Sequence, residues 1–325
     1  MRIYHLGTYY GLLISLLLPE TNIDDSFFFL TSDLDVDIDE KQVFFMKIKK
    51  LRFPFTVFYY DFYLRNKLHS IVKEKKLDTS VVIGQDHIIG KDYFLKYNYH
   101  LIEDGMGVYT TFYIEREKYK KRYIYNKILN KKNWNGVEET VTKIYLTKKD
   151  NIPIEIKDKV EIINLKKLWN SKTKEEQKKI LKIFKFNFEE VDKLSDRKYI
   201  LFTQPLSEDL VITEDEKIEI YKKVMRNYDE KKMIIKTHPR ELTDYKKIFP
   251  KAILLNNQFP AELLSILDIK FEKVITLFST SVMIFENNIG IDFYGTEINP
   301  KVLARFGNQD KVIKRNAFIK EEKNE

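Results

Sequence analysis

The sequence contains no cysteine, which excludes a disulfide framework, a thiolate metal site and a cysteine nucleophile. It also lacks an apolar stretch close to the length of about 20 residues that a membrane-spanning helix requires. The apolar run of residues 11–18 follows Arg2 and resembles the core of a signal peptide. Because this run is short and no small-residue cleavage site follows it, we interpret it as part of the folded protein.

The 325 residues are 43% hydrophobic and 33% charged, which is an ordinary globular composition, and the length predicts two domains. The formal net charge is +8 and the isoelectric point is about 9.1. Lysine is spread along the chain among Asp and Glu, so most of the excess charge is expected on solvated surface, where it also suits work beside an anionic membrane. The sequence carries no nucleic-acid-binding motif, and we expect no nucleic-acid partner.

Short apolar runs of strand length alternate with segments of helical period, a pattern typical of βαβ units around a parallel sheet. The first half predicts strands at residues 2–7, 26–32, 42–48, 80–85 and 99–103, with helices at 9–18 and 57–75. The second half predicts strands at residues 198–205, 233–237, 252–255, 273–278 and 290–294. Between the halves, residues 172–184 predict an exposed amphipathic helix.

The predicted fold class is therefore α/β, with two Rossmann-like, doubly wound domains facing a central cleft. We place an N-terminal domain at residues 1–155, a charged helical linker at 156–196 and a C-terminal domain at 197–325.

Ligands of open α/β sheets bind beyond the carboxyl ends of the strands, so polar residues at those ends are the candidates for chemistry. The strand at 99–103 ends in Glu103-Asp104-Gly105, where the glycine lets the chain turn tightly behind the acids. A carboxylate in this position can act as general base on a hydroxyl group. The alternative is an Asp-Gly turn with two solvated acids.

His238 follows the strand at 233–237, where Pro239 ends the strand and the cations Lys236 and Arg240 lie nearby. An imidazole flanked by cations suits a phosphate group, as a hydrogen-bond donor or a proton donor. The alternative is a histidine that only occupies a strand-end turn.

Two more segments carry candidates for a nucleotide site. Glu262 lies near the start of a helix, where its carboxylate can accept hydrogen bonds from a ribose or complement the helix dipole. Ser279-Thr280-Ser281 follows the strand at 273–278 and opens a helix, so these residues form either a phosphate site or an ordinary N-cap.

The acids Asp33, Asp35, Asp37 and Asp39 alternate along the segment DLDVDIDE, which invites comparison with a metal site. Acids at a period of two share one face of an extended segment, and Ile38 stands where an EF-hand needs glycine. We therefore interpret the segment as a solvated acidic loop and predict no metal site.

In combination, the motifs Glu103-Asp104-Gly105, His238-Pro239, Phe259-Pro260-x-Glu262 and Ser279-Thr280-Ser281 resemble those of bacterial sialyltransferases, particularly glycosyltransferase family 52 and the related polysialyltransferases. Residues 3–10 and the apolar residues 12–18 resemble the first strand, turn and helix of that family. Thr203-Gln204-Pro205-Leu206 resembles the start of its second domain, and the likeness spans about residues 2–295.

The resemblance implies a GT-B fold and transfer of sialic acid from CMP-sialic acid to a glycan hydroxyl, with inversion and without a metal ion or other cofactor. It implies an acceptor-side first domain, with Glu103 as the preferred general base and Asp104 as the alternative, and a nucleotide-donor second domain. His238 would contact the CMP phosphate. The implied substrate-binding residues are Gly105, Gln204, Lys236, Pro239, Arg240, Glu262, Ser279, Thr280 and Ser281. An aspartate of the second domain, Asp209 or Asp215, is a further candidate for the base.

Three other functions remain open at this point: a CDP-glycerol phosphotransferase, which also uses a His-Pro step and a serine pair, a family 52 hexosyltransferase, and a non-catalytic glycan- or nucleotide-binding protein. The implied partners are a nucleotide-sugar donor and a glycan acceptor such as galactose-terminated lipooligosaccharide or capsule. The resemblance also implies a cytoplasmic protein, peripheral on the inner membrane, and a homodimer.

Overall fold

The computed structural model describes residues 1–31, 34–52, 55–105, 107–110, 112–121, 127, 131–186, 188–238, 240–255, 259–267, 269–279, 282, 285 and 289–308. The chain divides into two compact units between Lys185 and Phe186, and each unit is built around its own parallel sheet. Within the ranges just given, no helix combines the length and the apolar character needed to cross a membrane.

The first unit contains a seven-stranded sheet with the order β3-β2-β1-β4-β5-β6-β7, in which all neighbours are parallel. Its strands are β1 Arg2–Leu6, β2 Ser26–Thr31, β3 Val43–Met46, β4 Asp78–Gly84, β5 Tyr99–Ile102, β6 Val141–Leu146 and β7 Val160–Ile162. All six residues of β2 are buried, as expected for a parallel strand that is covered on both faces.

The helices of the first unit are α1 Tyr9–Leu17, α2 Phe55–Val57, a π-helix Phe58–Leu64, α3 Arg65–Glu74, α4 Lys91–Phe94, α5 Gly107–Thr110, α6 Phe112–Lys121, α7 Leu165–Ser171 and α8 Lys174–Ile183. Helix α1 begins at Tyr9 because the Thr8 side chain caps it, accepting a hydrogen bond from the N–H of Gly11. Seven of its nine residues are buried, so the apolar run of residues 11–18 belongs to the core.

The second unit contains a five-stranded parallel sheet with the order β10-β9-β8-β11-β12. Its strands are β8 Tyr199–Phe202, β9 Met233–Lys236, β10 Ile253–Leu255, β11 Lys273–Thr276 and β12 Gly290–Phe293. Its helices are α9 Phe188–Ser195, α10 Glu214–Met225, α11 Tyr245–Ile248, α12 Ala261–Ile266 and α13 Pro300–Phe306. All five strands predicted from the second half of the sequence are present, each within a few residues of its expected ends.

Residues 156–196, which we expected to form a linker, divide between the two units. Strand β7 extends the first sheet. Helix α8 is amphipathic as predicted, but it is not free in solvent, because Ile180, Leu181 and Ile183 on its apolar side are buried in the first unit. Helix α9 belongs to the second unit.

Candidate functional site

The strand order of the first sheet reverses at β1, which pairs with β2 on one side and with β4 on the other. Ligands of doubly wound sheets bind at such a reversal, beyond the carboxyl ends of the strands. Gln85, which directly follows β4, forms hydrogen bonds with two residues that follow β1. Its Oε1 accepts from the N–H of Gly7 at 2.8 Å, and its Nε2 donates to Thr8 Oγ1 at 2.9 Å.

Glu103, which directly follows β5, is only 1% exposed, and both of its carboxylate oxygens are occupied. Oε1 accepts from the hydroxyls of Tyr10 and Thr147, each at 2.5 Å. Oε2 accepts from the hydroxyl of Tyr109 at 2.6 Å and from the N–H of Thr147 at 2.9 Å. The four donors around this buried carboxylate connect α1, α5 and the end of β6 to β5.

Asp104 has the opposite environment: its side chain is 37% exposed, and its Oδ2 lies 2.9 Å from Nε2 of His87. Burial alone would raise the pKa of Asp104, but the hydrogen bond and the charge of His87, together with hydrogen bonds from Thr8 and Gln85, outweigh burial and hold this pKa below its ordinary value. Burial lowers the pKa of His87, but the hydrogen bond and the charge of Asp104 raise it by more, so that the net shift is upward. The two groups therefore favour each other's charged form. Gly105 has a φ of 54° and turns the chain away directly after Asp104.

His87 also lines a cavity of about 220 Å³ in the first unit. The rest of the lining mixes aromatic and charged side chains, such as Tyr60, Arg65, Lys91 and Tyr93, with the aliphatic Leu68, Ile88 and Ile89. Asp104 is linked to this cavity through His87, and a cavity with such a mixed lining is a suitable place for a polar substrate.

His5 lies in β1, within the residues 3–10 that resemble the first strand and turn of the family. Its side chain is fully buried and is not exposed at the carboxyl edge of the sheet. Its Nδ1 lies 3.0 Å from the Tyr99 hydroxyl and its Nε2 lies 2.8 Å from the carbonyl oxygen of Ile89. Burial lowers the pKa of His5 to about 3, so the imidazole is neutral in the folded protein at neutral pH.

In the second sheet the order reverses at β8, between β9 and β11, and His238 lies two residues beyond the end of β9. Glu241 holds the turn that carries it: its Oε2 accepts from the N–H of His238 at 2.8 Å and from the hydroxyl of Thr203. Its Oε1 accepts from the hydroxyl of Tyr245 at 2.7 Å. Burial raises the pKa of Glu241, although these donors oppose the shift.

The buried ammonium of Lys217 joins the same network from α10. It donates to both oxygens of Glu208, at 2.9 and 2.8 Å, and lies 3.9 Å from Glu241. Glu208 in turn accepts from the N–H of Leu242 at 2.7 Å. Ion pairs and hydrogen bonds therefore connect His238 and residues 241–242 to α10.

The ring of His238 is oriented by its neighbour, because the N–H of Arg240 donates to Nδ1 at 3.2 Å. In the neutral imidazole this places the proton on Nε2. Burial, followed by the charge of Arg240, lowers the pKa of His238 below its ordinary value. At neutral pH, His238 is therefore an uncharged imidazole with an Nε2–H available as a donor.

Two cations flank His238, as the sequence predicts. Burial lowers the pKa of Lys236 to about 8, and its Nζ lies 4.6 Å from the ring centre of Phe259. The guanidinium of Arg240 forms a bidentate ion pair with the carboxylate of Asp209, in which Nη2 lies 3.1 Å from Oδ2. Asp209 is therefore engaged, while Asp215 lies exposed in the first turn of α10, where it complements the helix dipole.

The remaining predicted site residues are distributed around the second sheet. Gln204 directly follows Thr203 after β8, and its side-chain Oε1 is buried and has no hydrogen-bond partner among the described residues. Ser279 lies beyond β11, with its N–H donating to Thr276 Oγ1 at 3.0 Å, and Glu262 is in the first turn of α12. Pro239, Thr280 and Ser281 lie outside the described residues.

The acidic segment pairs with lysines of the first unit. Asp35 forms an ion pair with Lys185, and Asp37 lies 4.0 Å from Lys182. Asp33 is outside the described residues. In the part of the chain that the structure describes, no group of three or more His, Asp or Glu side chains is arranged to hold a metal ion.

Sequence reasoning did not find His87 or Glu241 as site residues. His87 lies three residues beyond β4, so the strand-end rule that selected Asp104 also applies to it. Glu241 is part of the segment that carries His238, but its role depends on a buried network with Thr203 and Tyr245, which no local pattern reveals.

The chain matches the model of glycosyltransferase family 52 over residues 36–302. An uncharacterized protein of Haemophilus influenzae is 43% identical over 269 residues, which is 82% of each chain. The solved α/β-galactoside α-2,3-sialyltransferase of Photobacterium phosphoreum has a TM-score of 0.57 at 15% identity, over 90% of this chain and 89% of that one. The GT-B domain of a Photobacterium damselae sialyltransferase has a TM-score of 0.58 at 13% identity, over 90% of both chains.

A third solved structure is the 2,6-sialyltransferase of Photobacterium sp. JT-ISH-224, in a ternary complex with CMP and lactose. Its TM-score is 0.60 at 12% identity, over 90% of this chain and 71% of that one. At such identities the structural likeness shows the fold, and the two parallel-sheet units are of the GT-B class, as predicted. The family match covers most of the chain, and the protein belongs to glycosyltransferase family 52.

Proposed function

We propose that the protein is an inverting sialyltransferase that transfers sialic acid from CMP-sialic acid to a hydroxyl group of a glycan, without a metal ion. Family membership supports glycosyl transfer. The sialyl donor is supported by the motif set and by the shared fold with sialyltransferases, one of which was solved with CMP and lactose.

The observation that carries the proposal is the Asp104–His87 pair at the carboxyl edge of the first sheet. Asp104 is ionised and partly exposed, and hydrogen bonds with His87, Thr8 and Gln85 favour its charged form, so that the exposed part of the carboxylate can accept the proton of an incoming hydroxyl. Glu103 is buried under four donors, so we now assign the base to Asp104 and a structural role to Glu103.

In the proposed step, the acceptor hydroxyl oxygen attacks the anomeric carbon of the sialic acid while its proton passes to Asp104. The bond from that carbon to the CMP phosphate oxygen breaks on the opposite face, and CMP leaves with the bonding electrons. The Nε2–H of His238 donates to the phosphate as its negative charge grows, and the flanking Lys236 adds positive charge. We propose Glu262 for the ribose and Gln204 and the segment 279–281 for the rest of the nucleotide.

The test follows CMP release from CMP-sialic acid with a galactose-terminated acceptor, in the presence of EDTA. Asp104→Asn is expected to lower kcat by about 10²-fold or more, because the amide cannot take the proton. His238→Ala is expected to cost about 10²-fold, because it removes a donor to the leaving group. Asp196→Asn changes an exposed carboxylate remote from both motifs in the sequence and serves as the matched control.

Glu103→Gln separates the two acids of the motif. It places an NH₂ group against donors, so we expect the free energy of unfolding to fall by about 1–3 kcal/mol. Any loss of activity in Glu103→Gln should then follow the loss of folded protein in thermal unfolding, whereas Asp104→Asn, which also gives up its ion pair with His87, should lose activity while it is still folded at the assay temperature.

If Asp104→Asn kept full activity and Asp209→Asn or Asp215→Asn lost it, the general base would be an aspartate of the second unit and not Asp104. Consumption of another nucleotide donor, such as CDP-glycerol or a nucleotide hexose, with no release of CMP from CMP-sialic acid, would refute the sialyl donor and leave the family assignment intact.

A further inference from the structure

One wall of the cavity beside His87 is built on a π-helix. Tyr60 and Asp61 line the cavity from the π-helix Phe58–Leu64, and Arg65 lines it from the first position of α3. The i→i+5 hydrogen bonds of a π-helix bring residues five apart onto one face, so Tyr60 and Arg65 can line the same cavity. Because π-helical turns are rare and frequently occur at functional sites, this wall is a candidate for ligand binding.

The charged side chains of the cavity are paired unequally. The ammonium of Lys131 forms ion pairs with the carboxylates of Asp61 and Asp92, the second at 3.2 Å. Lys91 also lies 4.0 Å from Asp92. Both acids therefore lie against lysines, whereas the guanidinium of Arg65 has no ion pair and no hydrogen bond with any residue that the structure describes.

The surplus positive charge of this lining is located on Arg65. His87 does not add to it, because its charge is balanced by Asp104 at 2.9 Å. Among the other lining residues, three cations face two acids. A half-buried guanidinium without an acid favours an anion, since its N–H donors form a planar fork that matches a carboxylate or a phosphate.

The size and the aromatic residues of the cavity suit a single sugar ring. Its volume of about 220 Å³ is below the range of roughly 300–1,000 Å³ that is typical of sites for drug-sized ligands. Tyr60 and Tyr93 provide aromatic rings in the lining. The hydroxyl of Tyr60 accepts from the N–H of Lys49 at 2.7 Å and donates to its carbonyl oxygen at 2.9 Å, so this ring is held in place. A fixed aromatic ring next to charged groups can hold both the apolar face and the polar edge of a sugar.

We propose that this cavity binds a sugar of the acceptor glycan that carries a negative charge, a carboxylate or a phosphate ester, and that Arg65 binds this charge. The inference rests on the proposed function and names the class of its acceptor. The sugar ring packs against Tyr60 and Tyr93, and the guanidinium donates two parallel hydrogen bonds to the anion. Because His87 lines the cavity and pairs with Asp104, the bound sugar is separated from the proposed base by one side chain.

The binding of three methyl galactosides to the full chain tests this inference without a nucleotide donor. Carbon 6 of the galactoside is a primary alcohol, a carboxylate or a phosphate ester, and the three compounds are otherwise identical. Their affinities are measured by NMR titration. We expect at least one anionic galactoside to bind about tenfold or more tightly than the neutral one, because hydrogen bonds between charged groups are the stronger ones. A preference for only one of the two anions identifies the source of the charge.

Substitutions of Arg65 test whether this residue causes the preference. Arg65→Gln is expected to remove it, a loss of about tenfold in affinity for the anion, and to leave the affinity for the neutral galactoside unchanged. Arg65→Lys should keep part of the preference, because it retains the charge but not the planar fork. Lys67→Gln is the matched control, since Lys67 is an exposed cation on the same helix and is not part of the lining. Circular dichroism checks that each variant is folded.

Equal affinity for the three galactosides, or an anion preference that survives in Arg65→Gln, would overturn the inference. A loss of affinity for the neutral galactoside in Arg65→Gln would also overturn it, because Arg65 would then shape the cavity and not bind the charge. A raised KM for CMP-sialic acid in Arg65→Gln, with unchanged galactoside binding, would assign the guanidinium to the donor and overturn it as well.

These outcomes are separable from those for the proposed reaction. An anion preference that depends on Arg65, without CMP release from CMP-sialic acid, would support the anionic-sugar site and refute the sialyl donor. CMP release with a neutral acceptor, without any preference for the anionic galactosides, would support the sialyl donor and refute the anionic-sugar site.

Discussion

Adjacent residues with the same functional group can have unrelated tasks. Glu103 and Asp104 differ by one methylene and one position, yet Glu103 is buried under four donors, whereas Asp104 is partly exposed and pairs with His87. The alternation of side chains at a strand end points successive residues in different directions, which separates their environments. A local motif can locate such a pair, but the partner groups decide which acid is available for proton transfer.

The burial of His5 predicts that the free energy of unfolding decreases as the pH falls. The unfolded chain protonates His5 below a pH of about 6.5, whereas the folded chain keeps it neutral down to a pH of about 3. The unfolded state therefore binds more protons in this window, and stability falls as the pH decreases through it. Between pH 7 and pH 4, His5 should account for a loss on the order of 3 kcal/mol.

Denaturant unfolding of wild type and His5→Gln at several pH values measures this effect. The variant is expected to be less stable at pH 7, because it disturbs the contacts with Tyr99 and Ile89, but to lose less stability on acidification. Parallel pH profiles for the two proteins would show that His5 is not the residue whose protonation is linked to unfolding.

Strands whose two faces are both apolar could be predicted from the sequence. Strands that contain a charged residue or are partly exposed were harder to predict. The run Phe27-Phe28-Phe29 in β2 has no polar interruption and is fully buried. Strands β6 and β7 were not predicted. β6 contains Lys143 among its apolar residues, and β7 is a three-residue edge strand with no fully buried position. Edge position and partial exposure weaken the sequence signal for such strands.

The candidate site shows the same contrast. The sequence located His238 and Asp104 because both follow strands, and the structure confirms those two strand ends. It did not locate Glu241 or His87 as partners, because their contacts join segments that only the fold brings together. The individual roles of the site residues stay predictions.

Close packing between β1, β4 and β5 predicts the effect of a single methyl group. A Cβ on Gly84 would lie 2.1 Å from the carbonyl oxygen of His5 and 2.6 Å from the Tyr99 hydroxyl. Since backbone must shift to relieve this overlap, Gly84→Ala is expected to destabilise the protein by about 3 kcal/mol or more, or to prevent folding. Because Gln85 follows directly, any folded fraction should also lose CMP release.

Gly290→Ala provides the comparison in a strand of the second sheet. Its Cβ would lie 3.3 Å from the carbonyl oxygen of Glu272, a contact that a small shift relieves, so we expect a change below about 1 kcal/mol. Denaturant unfolding of both variants measures the difference. Equal stabilities would show that the strand spacing around Gly84 is more adaptable than its contacts indicate.

At the scale of the whole molecule, each unit has its own sheet, its own reversal of strand order and its own candidate groups. We therefore expect the nucleotide to be recognised by the second unit. Added CMP should slow amide hydrogen exchange in residues 203–208 and 236–241, where Thr203, Glu208 and Glu241 support the His238 turn.

Hydrogen exchange measured by mass spectrometry, with and without CMP, tests this division. Adenosine monophosphate serves as the control ligand, and a His238→Ala variant should show a reduced response to CMP. Protection confined to the first unit would reverse the assignment of donor and acceptor sides.

The boundary between Lys185 and Phe186 has a consequence for how relatives of this protein can diverge. A genetic crossover at this point joins two intact hydrophobic cores, because no strand of either sheet is cut. Recombination or gene fusion there can pair the first unit of one ancestor with the second unit of another, and selection can then act on each unit separately. Chimaeras built at this junction should fold more often than those joined within β6 or α10, which would split a core.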